Sequence, residues 1–413
     1  MALDPEEYKK RRELRNAQRQ EKAEKAKKKR IKWLLIGAAV LAVAILVLIL
    51  CLRGCSNTSQ TGQTQPNLQT IHFAATGDLN VTQRVVASGT GEDYTSLFMD
   101  VAAYLAQADV TAVNLEGGLY GPPYGEDRSA PPALAKALKN AGVDMIQLAN
   151  SYAIAKGTAG LSATISSIKA AGLTPLGAWS TPAEAKAAKG YTIREVNGIK
   201  LAFVAFTKGM DGMALPVSSA GCVNLLYKDY SSSYQEVDKE GITKVLDAVA
   251  KERPDAVIAL LHWGSEYNDT VSSSQEEIGK LMLENGVDVI VGSHSHYVQK
   301  VSFDEAAGTL IAYSLGDFLG DAERSGTEYS VILDVELTKN LDTGETYVSG
   351  WSHTPIYTLK TETGVRSLAI DGAVGAYDTN WLGKVTEEDY NAMKYALERI
   401  TARLGIEEQK PSE

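Results

Sequence analysis

Cysteine and histidine are both scarce in this chain of 413 residues, which has three cysteines and five histidines. Three cysteines cannot form the set of paired bridges that stabilises small secreted domains, so the sequence excludes a disulfide framework. The same count excludes a metal site built from cysteine thiolates. A metal site in this protein would therefore use imidazole, carboxylate and amide ligands.

Positive charge is also scarce once the first 53 residues are set aside. Those residues hold 14 Lys/Arg and 6 Asp/Glu, whereas the rest of the chain holds 27 Lys/Arg and 45 Asp/Glu, a net charge of −18. A domain this acidic is a poor general binder of nucleic acid or anionic lipid. We therefore expect no nucleic-acid partner.

One hydrophobic run is long enough to span a membrane. Residues 31–52 contain one charged side chain, Lys32, and a bilayer-spanning helix needs about 20 apolar residues. Residues 9–32 carry 13 Lys/Arg, and such a basic flank stays in the cytosol. A cleaved signal peptide fits less well, because its apolar core is shorter and ends in a small-residue cleavage site. We expect a single-pass cell-membrane protein with a cytoplasmic N-terminus and an extracytoplasmic main domain.

The composition changes several times along the chain, which indicates five segments. They are a basic cytoplasmic segment at 1–30, a transmembrane helix at 31–52, a flexible Ser/Thr/Gln/Asn-rich linker at 53–70, the main domain at 71–360 and a C-terminal extension at 361–413. The extension contains an amphipathic helix at 386–404 with an acidic first turn. We expect this helix to dock on the main domain, and contact with a partner is the alternative.

Apolar runs alternate with segments of helical spacing through most of the main domain. The predicted helices are 97–106, 133–140, 161–170, 242–250 and 278–283, and the predicted strands are 71–75, 110–113, 145–148, 201–206, 257–261, 289–291, 310–314, 329–337 and 346–351. Alternation of this kind is typical of crossover units in a parallel or mixed sheet. The last three strands have no helices between them, which predicts an antiparallel portion. The fold class is therefore α/β (α+β).

Polar residues of the kinds that bind metals follow several of the predicted strands. They are Asp78, Asn114, Glu116, Asn150, His262, His294 and His296. Open α/β sheets keep their ligand sites at the carboxyl ends of the strands. Taken singly, each residue has an ordinary explanation as a turn, cap or surface residue, but His294 and His296 are two apart and share one side of an extended segment. The set predicts a site for a divalent transition metal such as Mn, Fe or Zn.

Five short motifs occur in the order found in a known protein family. They are Thr76-Gly77-Asp78, Asn114-Leu115-Glu116, His262-Trp263-Gly264-Ser265-Glu266, Gly292-Ser293-His294-Ser295-His296 and Tyr313-Ser314-Leu315-Gly316-Asp317-Phe318. In this order they resemble the CapA family of bacterial capsule synthesis proteins, also called PgsA-type poly-γ-glutamate synthesis proteins. The segment 196–203 is similar to that family as well, and the resemblance covers about residues 71–320.

This resemblance implies a calcineurin-like metallophosphoesterase fold, a layered β-sandwich flanked by helices with metals at the strand ends. It also implies a membrane-anchored role in making or exporting an anionic capsule polymer, with other capsule-synthesis membrane proteins as partners. On this basis the predicted metal ligands are Asp78, Glu116, His262, His294, His296 and Asp317. The predicted catalytic residues are His262, His294 and Tyr152, and the predicted substrate-binding residues are Asn150 and Glu266.

Several residues of the predicted site depart from the family pattern. The family usually has Asn-Asn-His, with an Asp three residues after the His. This chain keeps the first Asn as Asn150 but has Ser151, Tyr152 and Ala155 at the other three positions. A tyrosine hydroxyl is a weaker acid at neutral pH than an imidazolium, and Ala155 has no carboxylate to orient it. Ser295 stands where the family has proline. Asp317 replaces the usual Asn, and either adds a carboxylate ligand or forms a turn.

Two kinds of function fit this pattern. The first is a metal-dependent hydrolase or transferase, in which the metal lowers the pKa of bound water and holds an anionic substrate. The second is a non-catalytic member of the assembly machinery that binds the nascent polymer or a membrane partner. The change at Tyr152 disfavours vigorous phosphoesterase chemistry. We favour a role in capsule polymer synthesis or export, and a metal-dependent phosphoesterase acting on cell-envelope phosphodiesters is the alternative.

Overall fold

The computed structural model describes residues 66–89, 93–362, 364–378 and 385–406. The predicted cytoplasmic segment at 1–30 and the predicted transmembrane helix at 31–52 lie outside these residues. Within the described part of the chain, no helix has the length and apolar character needed to cross a bilayer. The described residues form a mixed α/β fold of two sheets and nine α-helices.

The first sheet contains eight strands. They are β1 (Leu68–Asn80), β2 (Val110–Glu116), β3 (Met145–Gln147), β4 (Thr174–Leu176), β11 (Asp317–Leu319), β12 (Tyr329–Asn340), β13 (Thr346–Lys360) and β14 (Val365–Ala369). Their order is β14-β13-β12-β1-β2-β3-β4, and β11 also pairs with β1. Strands β1 to β4 are parallel, whereas β12, β13 and β14 extend the sheet antiparallel from β1.

The second sheet contains six strands in the order β5-β6-β7-β8-β10-β9. They are β5 (Tyr191–Val196), β6 (Ile199–Thr207), β7 (Ala256–His262), β8 (Val289–Ser293), β9 (Val301–Asp304) and β10 (Thr309–Ala312). The four central strands are parallel, and β5 and β9 form antiparallel edges.

Nine α-helices connect and cover the two sheets in the described residues. They are α1 (Gln83–Ala87), α2 (Ala102–Leu105), α3 (Ala133–Asn140), α4 (Gly157–Ala170), α5 (Pro182–Ala188), α6 (Lys239–Glu252), α7 (Ser273–Glu284), α8 (Ile370–Asp378) and α9 (Glu387–Leu404). The strand-helix alternation of the sequence is therefore confirmed.

Strand β6 shows how the sequence produces two packed layers. Its alternate residues Leu201, Phe203 and Ala205 belong to the core shared with the first sheet, and the ring of Phe203 lies 5.8 Å from that of Phe73 in β1. The intervening residues, which include Val204, point to the opposite face and pack with the apolar sides of α6 and α7. The period of two in a strand allows this division. The molecule is thus a two-sheet sandwich with helices outside.

Three expectations are corrected by the structure. The predicted helix at 97–106 is interrupted, because Phe98 leaves helical backbone (φ −122°, ψ −1°) and stacks on Phe318 with ring centroids 5.7 Å apart. The predicted strand at 310–314 is β10, which runs parallel to β8 in the second sheet and not in the antiparallel portion. Strand β1 begins at Leu68, inside the predicted linker, because residues 68–70 pair with β12.

Helix α9 docks on the domain, as the sequence analysis expected. Its first turn is closed by a capping box between Thr386 and Asp389, which satisfies backbone N–H groups that would otherwise lack partners. Its buried residues are Met393, Ala396, Ile400 and Leu404. Near its end, the guanidinium of Arg403 lies 4.8 Å from the Tyr297 ring centroid and 3.3 Å from a carboxylate oxygen of Asp269.

Candidate metal centre

The predicted ligands come from both sheets and meet at one edge of the sandwich. In the first sheet, Asp78 of β1 is in register with Asn114 of β2 and with Asp317 of β11. In the second sheet, His262 ends β7 opposite Ser293 of β8. The sheets are joined here by the backbone N–H of His294, which donates to Asp78 Oδ2 at 3.0 Å. Parallel strands therefore bring together side chains that are far apart in sequence.

Three of these residues, Glu116, His262 and His294, form what we call the first cluster. Each offers a ligand atom within 4.8 Å of the others, and all three side chains are buried. Glu116 Oε1 lies 3.4 Å from His262 Nδ1, and the two imidazole rings have centroids 4.4 Å apart. One carboxylate and two imidazoles are a common ligand set for a borderline transition metal.

Asp78, His296 and Asp317 form the second cluster, with ligand atoms also within 4.8 Å of one another. The Nδ1 atom of His296 lies 2.7 Å from Asp317 Oδ1 and 3.5 Å from Asp78 Oδ2. Asp317 can approach β1 because position 77 is glycine: a Cβ on Gly77 would lie 1.8 Å from the carbonyl oxygen of Gly316.

Asn114 lies between the two clusters. Its side-chain amide donates to Asp78 Oδ1 at 2.6 Å, and the same nitrogen is 3.5 Å from Glu116 Oε1. The amide of Asn150 donates to Asn114 Oδ1 at 3.0 Å and to the carbonyl of Leu115 at 2.7 Å. Asn150, a predicted substrate-binding residue, is therefore engaged with its protein neighbours, and its contact with substrate stays a prediction.

The His-x-His segment does not place both histidines on one face, as an extended strand would. The segment lies after β8, and His294 and His296 have φ values of 90° and 59°, a region that costs free energy for residues other than glycine. This backbone sends His294 to the first cluster and His296 to the second, with ring centroids 6.3 Å apart. The expectation that both side chains share one side of an extended segment is therefore wrong, and their role as metal ligands stays a prediction.

Burial controls the charge of the two clusters. It raises the pKa of Asp78 to about 6 and, together with the nearby Asp78, raises the pKa of Glu116 to about 8. Burial also holds the pKa of the His262 and His294 imidazoles well below the usual value, so both are neutral at physiological pH. The contact between His262 and Glu116 is therefore not an ion pair.

His296 behaves differently from the other two histidines. Burial opposes its charged form, but the neighbouring Asp317 carboxylate outweighs burial and raises the pKa of His296 to about 11. The second cluster thus contains one cation facing two carboxyl groups. A metal ion that binds there has to displace the proton that Asp317 holds on His296.

The donor atoms of the two clusters fit a divalent metal ion. In the described part of the chain, the Nδ1 atom of His294 is buried and has no hydrogen-bond partner, which is costly unless another group satisfies it. The carboxyl groups of Asp78 and Glu116 resist ionisation because they are buried, and a bound cation would offset this penalty. The residues would hold a metal such as Mn, Fe or Zn.

Tyr152 and Ser151 replace the family's histidine and second asparagine, and both contact the site. Ser151 Oγ lies 3.1 Å from His262 Nε2. The Tyr152 hydroxyl accepts from Arg128 Nη2 at 3.1 Å, and the guanidinium lies 4.4 Å from the ring centroid of Tyr152. Burial raises the pKa of Tyr152 to about 12. Its catalytic role stays a prediction, and its observed contact is that with Arg128.

A cleft of about 520 Å³ opens beside the second cluster and includes His296 and Asp317 in its lining. Arg128 and Arg324 also line it, and neither is predictable from the sequence because both lie in irregular loops without a periodic pattern. The Tyr267 ring contacts both Arg324, whose guanidinium lies 3.8 Å from the ring centroid, and the imidazole of His296, whose centroid lies 5.2 Å away. The cleft therefore places two guanidinium groups next to the candidate metal ligands.

Glu266, the other predicted substrate-binding residue, is exposed. It is not among the residues that line this cleft. Its charge acts on Lys208, whose pKa is lowered by burial and partly restored by Glu266. Contact of Glu266 with substrate stays a prediction.

Comparison with known proteins identifies similar chains. The family profile described as "Bacterial capsule synthesis protein PGA_cap" matches residues 72–322. The capsule biosynthesis protein CapA of Bacillus anthracis is 31% identical over 279 residues, which are 64% of this chain and 63% of that protein. The PGA biosynthesis protein CapA of Bacillus subtilis strain 168 is 29% identical over 205 residues, which are 50% of each protein. The chain thus matches less than two thirds of the length of either relative.

Similar solved structures are more distant in sequence. The calcineurin-like phosphoesterase YfkN from Bacillus subtilis has a TM-score of 0.42 and 16% identity, covering 80% of this chain and 100% of that one. A novel phosphatase from Mycoplasma pneumoniae has a TM-score of 0.43 and 15% identity, covering 70% and 95% of the two chains. These similarities concern the fold alone.

Proposed function

The chain belongs to the family of bacterial capsule synthesis proteins that its residues 72–322 match, and from this membership we propose that it acts in the synthesis or export of an anionic capsule polymer of the poly-γ-glutamate type. In this proposal the protein is anchored in the cell membrane and its main domain is extracytoplasmic. The domain has a metallophosphoesterase-like fold, holds a divalent metal ion at the two clusters, and binds a segment of polymer in the adjoining cleft.

The observation that carries this proposal is the position of Arg128 and Arg324 in the cleft beside the second cluster. Guanidinium groups bind carboxylate with two parallel hydrogen bonds. Arg128 is held in place by Asn80 Oδ1, at 3.1 Å, and by Tyr152. An anionic chain that enters the cleft would meet both arginines beside Asp317, Asp321 and Glu323, so binding would depend on the directed guanidinium hydrogen bonds and on a bound metal ion, because the cleft has no large excess of positive charge.

Each part of the site has a separate task. When bound, a divalent metal ion supplies positive charge and lowers the pKa of a coordinated water. The neutral His262 and His294 offer ring nitrogen lone pairs, and Asn114 fixes the distance between Asp78 and Glu116. Arg128 and Arg324 orient the anion. Tyr152 holds the guanidinium of Arg128 and, with its raised pKa, keeps its own proton.

Polymer binding by the full chain in detergent tests this function. We expect poly-γ-glutamate to bind more tightly than an uncharged polymer of equal length, and chelation of the metal to weaken binding. The Arg128→Ala/Arg324→Ala variant should bind about tenfold or more weakly, since charge-assisted hydrogen bonds are worth about 1.5–3 kcal/mol each. Equal binding of charged and uncharged polymers would contradict the proposal.

A metal-dependent phosphoesterase acting on cell-envelope phosphodiesters is the second candidate. It is favoured by the presence of two ligand clusters that both contact the Asn114 amide, since paired metals stabilise both oxygens of a phosphoryl displacement. Hydrolysis of bis(p-nitrophenyl) phosphate by the full chain, with loss of turnover in His294→Ala, would favour this function. Bound metal without turnover would favour polymer binding.

The membrane anchor and its partners are part of the same proposal. They are supported by the uncharged run after Lys32 and the basic segment before it. We propose that capsule-synthesis membrane proteins bind next to this anchor. External protease added to wall-stripped cells should degrade the main domain and leave the basic N-terminal segment protected. Protection of the main domain until the membrane is lysed would overturn the proposed topology.

A further inference from the structure

A second cleft, lined by none of the residues of the first, lies between helices α5 and α6. It has a volume of about 640 Å³. Lys186 and Lys189 line it from α5 and the turn that follows, and Lys244 and Lys251 line it from α6. We call it the lysine cleft. Four lysines around one cavity are unexpected in a chain whose residues after position 53 carry a net charge of −18.

Two of the four lysines lie along α6. Lys244 and Lys251 are seven residues apart on one helix, so they lie on the same face about 10 Å apart along its axis. One carboxylate also lines the cleft, that of Asp238, and its Oδ1 atom accepts from the backbone N–H of Gly241 at 3.0 Å as the cap of α6. Lys189 also lies 3.9 Å from a carboxylate oxygen of Glu252, so the positive charge that favours an extended, multiply negative ligand comes mainly from Lys186, Lys244 and Lys251.

The surface between the lysines is largely apolar. Trp179 and Phe206 line it, together with alanine and valine side chains. A polymer of γ-linked glutamate carries one free carboxylate and two methylene groups in each repeat. Its carboxylates match the lysines and its methylene groups match the apolar surface. The acidic remainder of the domain repels any polyanion, so it does not distinguish a nucleic acid from a polycarboxylate, and the nucleic acid is an outcome of the test below.

We propose that the lysine cleft is a second binding site for an anionic polycarboxylate chain, separate from the metal centre. This inference rests on the proposed function, because it takes the same polymer as ligand. Two sites on one protein make the second contact intramolecular once the first has formed, which raises the affinity for long chains over short ones. The lysine cleft would thus hold a polymer whose other segment lies at the metal centre.

The test compares binding of long and short poly-γ-glutamate by the full chain in detergent. The Lys244→Glu/Lys251→Glu variant should bind the long polymer about tenfold more weakly at low salt, because it replaces two weak attractive ion pairs by repulsion. Binding of short oligomers should change less. The milder Lys244→Gln/Lys251→Gln variant should also lose affinity for the long polymer, but to a smaller extent. It keeps the test valid if the charge reversal disturbs the folding of α6.

The matched control is Lys280→Glu/Lys360→Glu, which makes the same change in net charge at two exposed lysines outside both clefts. Metal content and melting temperature are measured in every variant and should remain at the wild-type values. If wild type binds the polymer and the lysine-cleft variants bind it as the control does, this inference fails and the proposed function stands. If wild type binds no polymer, both fail. Tighter binding of a single-stranded oligonucleotide through the same lysines would overturn the polycarboxylate as occupant.

Discussion

At the scale of single residues, Tyr152 shows how one substitution changes what a site can do. An imidazole at this position would exchange a proton near neutral pH, whereas the buried tyrosine has a pKa of about 12 and keeps its proton. Its hydroxyl accepts a hydrogen bond from Arg128. The observed contact of Tyr152 is therefore with a guanidinium group, which it helps to position.

The Tyr152→Phe variant tests this positioning role. It keeps the ring beneath the guanidinium and removes one hydrogen bond, which is worth about 0.5–1.5 kcal/mol. We expect polymer affinity to fall by roughly two- to tenfold, with metal content unchanged. Calorimetric titration and metal analysis of the same samples check both parts. Loss of metal in this variant would show that Tyr152 supports the clusters directly.

Glu116 makes the stability of the metal-free protein depend on pH. Burial raises its pKa from 4.5 to about 8, so between these values the folded protein holds a proton that the unfolded chain has released. Stability therefore falls as pH rises through this window. His262 and His294 have lowered pKa values in the folded protein, so they make stability rise with pH, but only below about pH 6.5. Between pH 6.5 and 8 the fall in stability is therefore observed without this opposing effect.

His296 contributes to the same fall, because its pKa is raised to about 11. We therefore expect metal-free Glu116→Gln to lose less stability than wild type between pH 6.5 and 8, though not to become independent of pH. Thermal melting followed by tryptophan fluorescence measures the difference. Parallel pH profiles for the two proteins would show that Glu116 is already ionised in the metal-free fold.

At the scale of elements, the pairing of β1 with β11 decides where Asp317 lies. Gly77 is the contact point, and Asp78 next to it donates its backbone N–H to the Gly316 carbonyl at 2.9 Å. Any side chain at position 77 would force the two strands apart. The geometry of the second cluster therefore depends on Gly77, although Gly77 offers no side chain as a metal ligand.

The Gly77→Ala variant should be destabilised by about 3 kcal/mol, at the upper end of the usual cost of overpacking. It should also bind less metal, because Asp317 moves with β11. Gly350→Ala is the control, since a Cβ at that position meets no atom within 4 Å. Denaturation midpoints and metal content of both variants provide the comparison. Equal stability of the two would contradict the role assigned to the contact between the strands.

At the scale of the whole molecule, the sequence predicts those site residues whose positions follow from the parallel strands. Asp78, Glu116 and His262 were identifiable because polar residues at the carboxyl ends of such strands converge. The division of His294 and His296 between two clusters was not, because it depends on positive φ values that no residue type at those positions signals. Arg128 and Arg324 lie in loops whose paths are set by the folded core. The break at Phe98 likewise depends on a distant partner, Phe318.

Metal content is the most direct measure of whether the two clusters form a metal centre. The full chain, purified in detergent after growth with Mn and Zn, is compared with His294→Ala/His296→Ala, which removes one ligand from each cluster. His72→Ala is the control, because His72 lies outside the clusters and contacts Asp334. We expect bound metal in wild type and control, and a loss in the double variant of at least about tenfold in affinity. Metal-free wild-type protein whose melting temperature does not change on addition of Mn or Zn would contradict the metal centre.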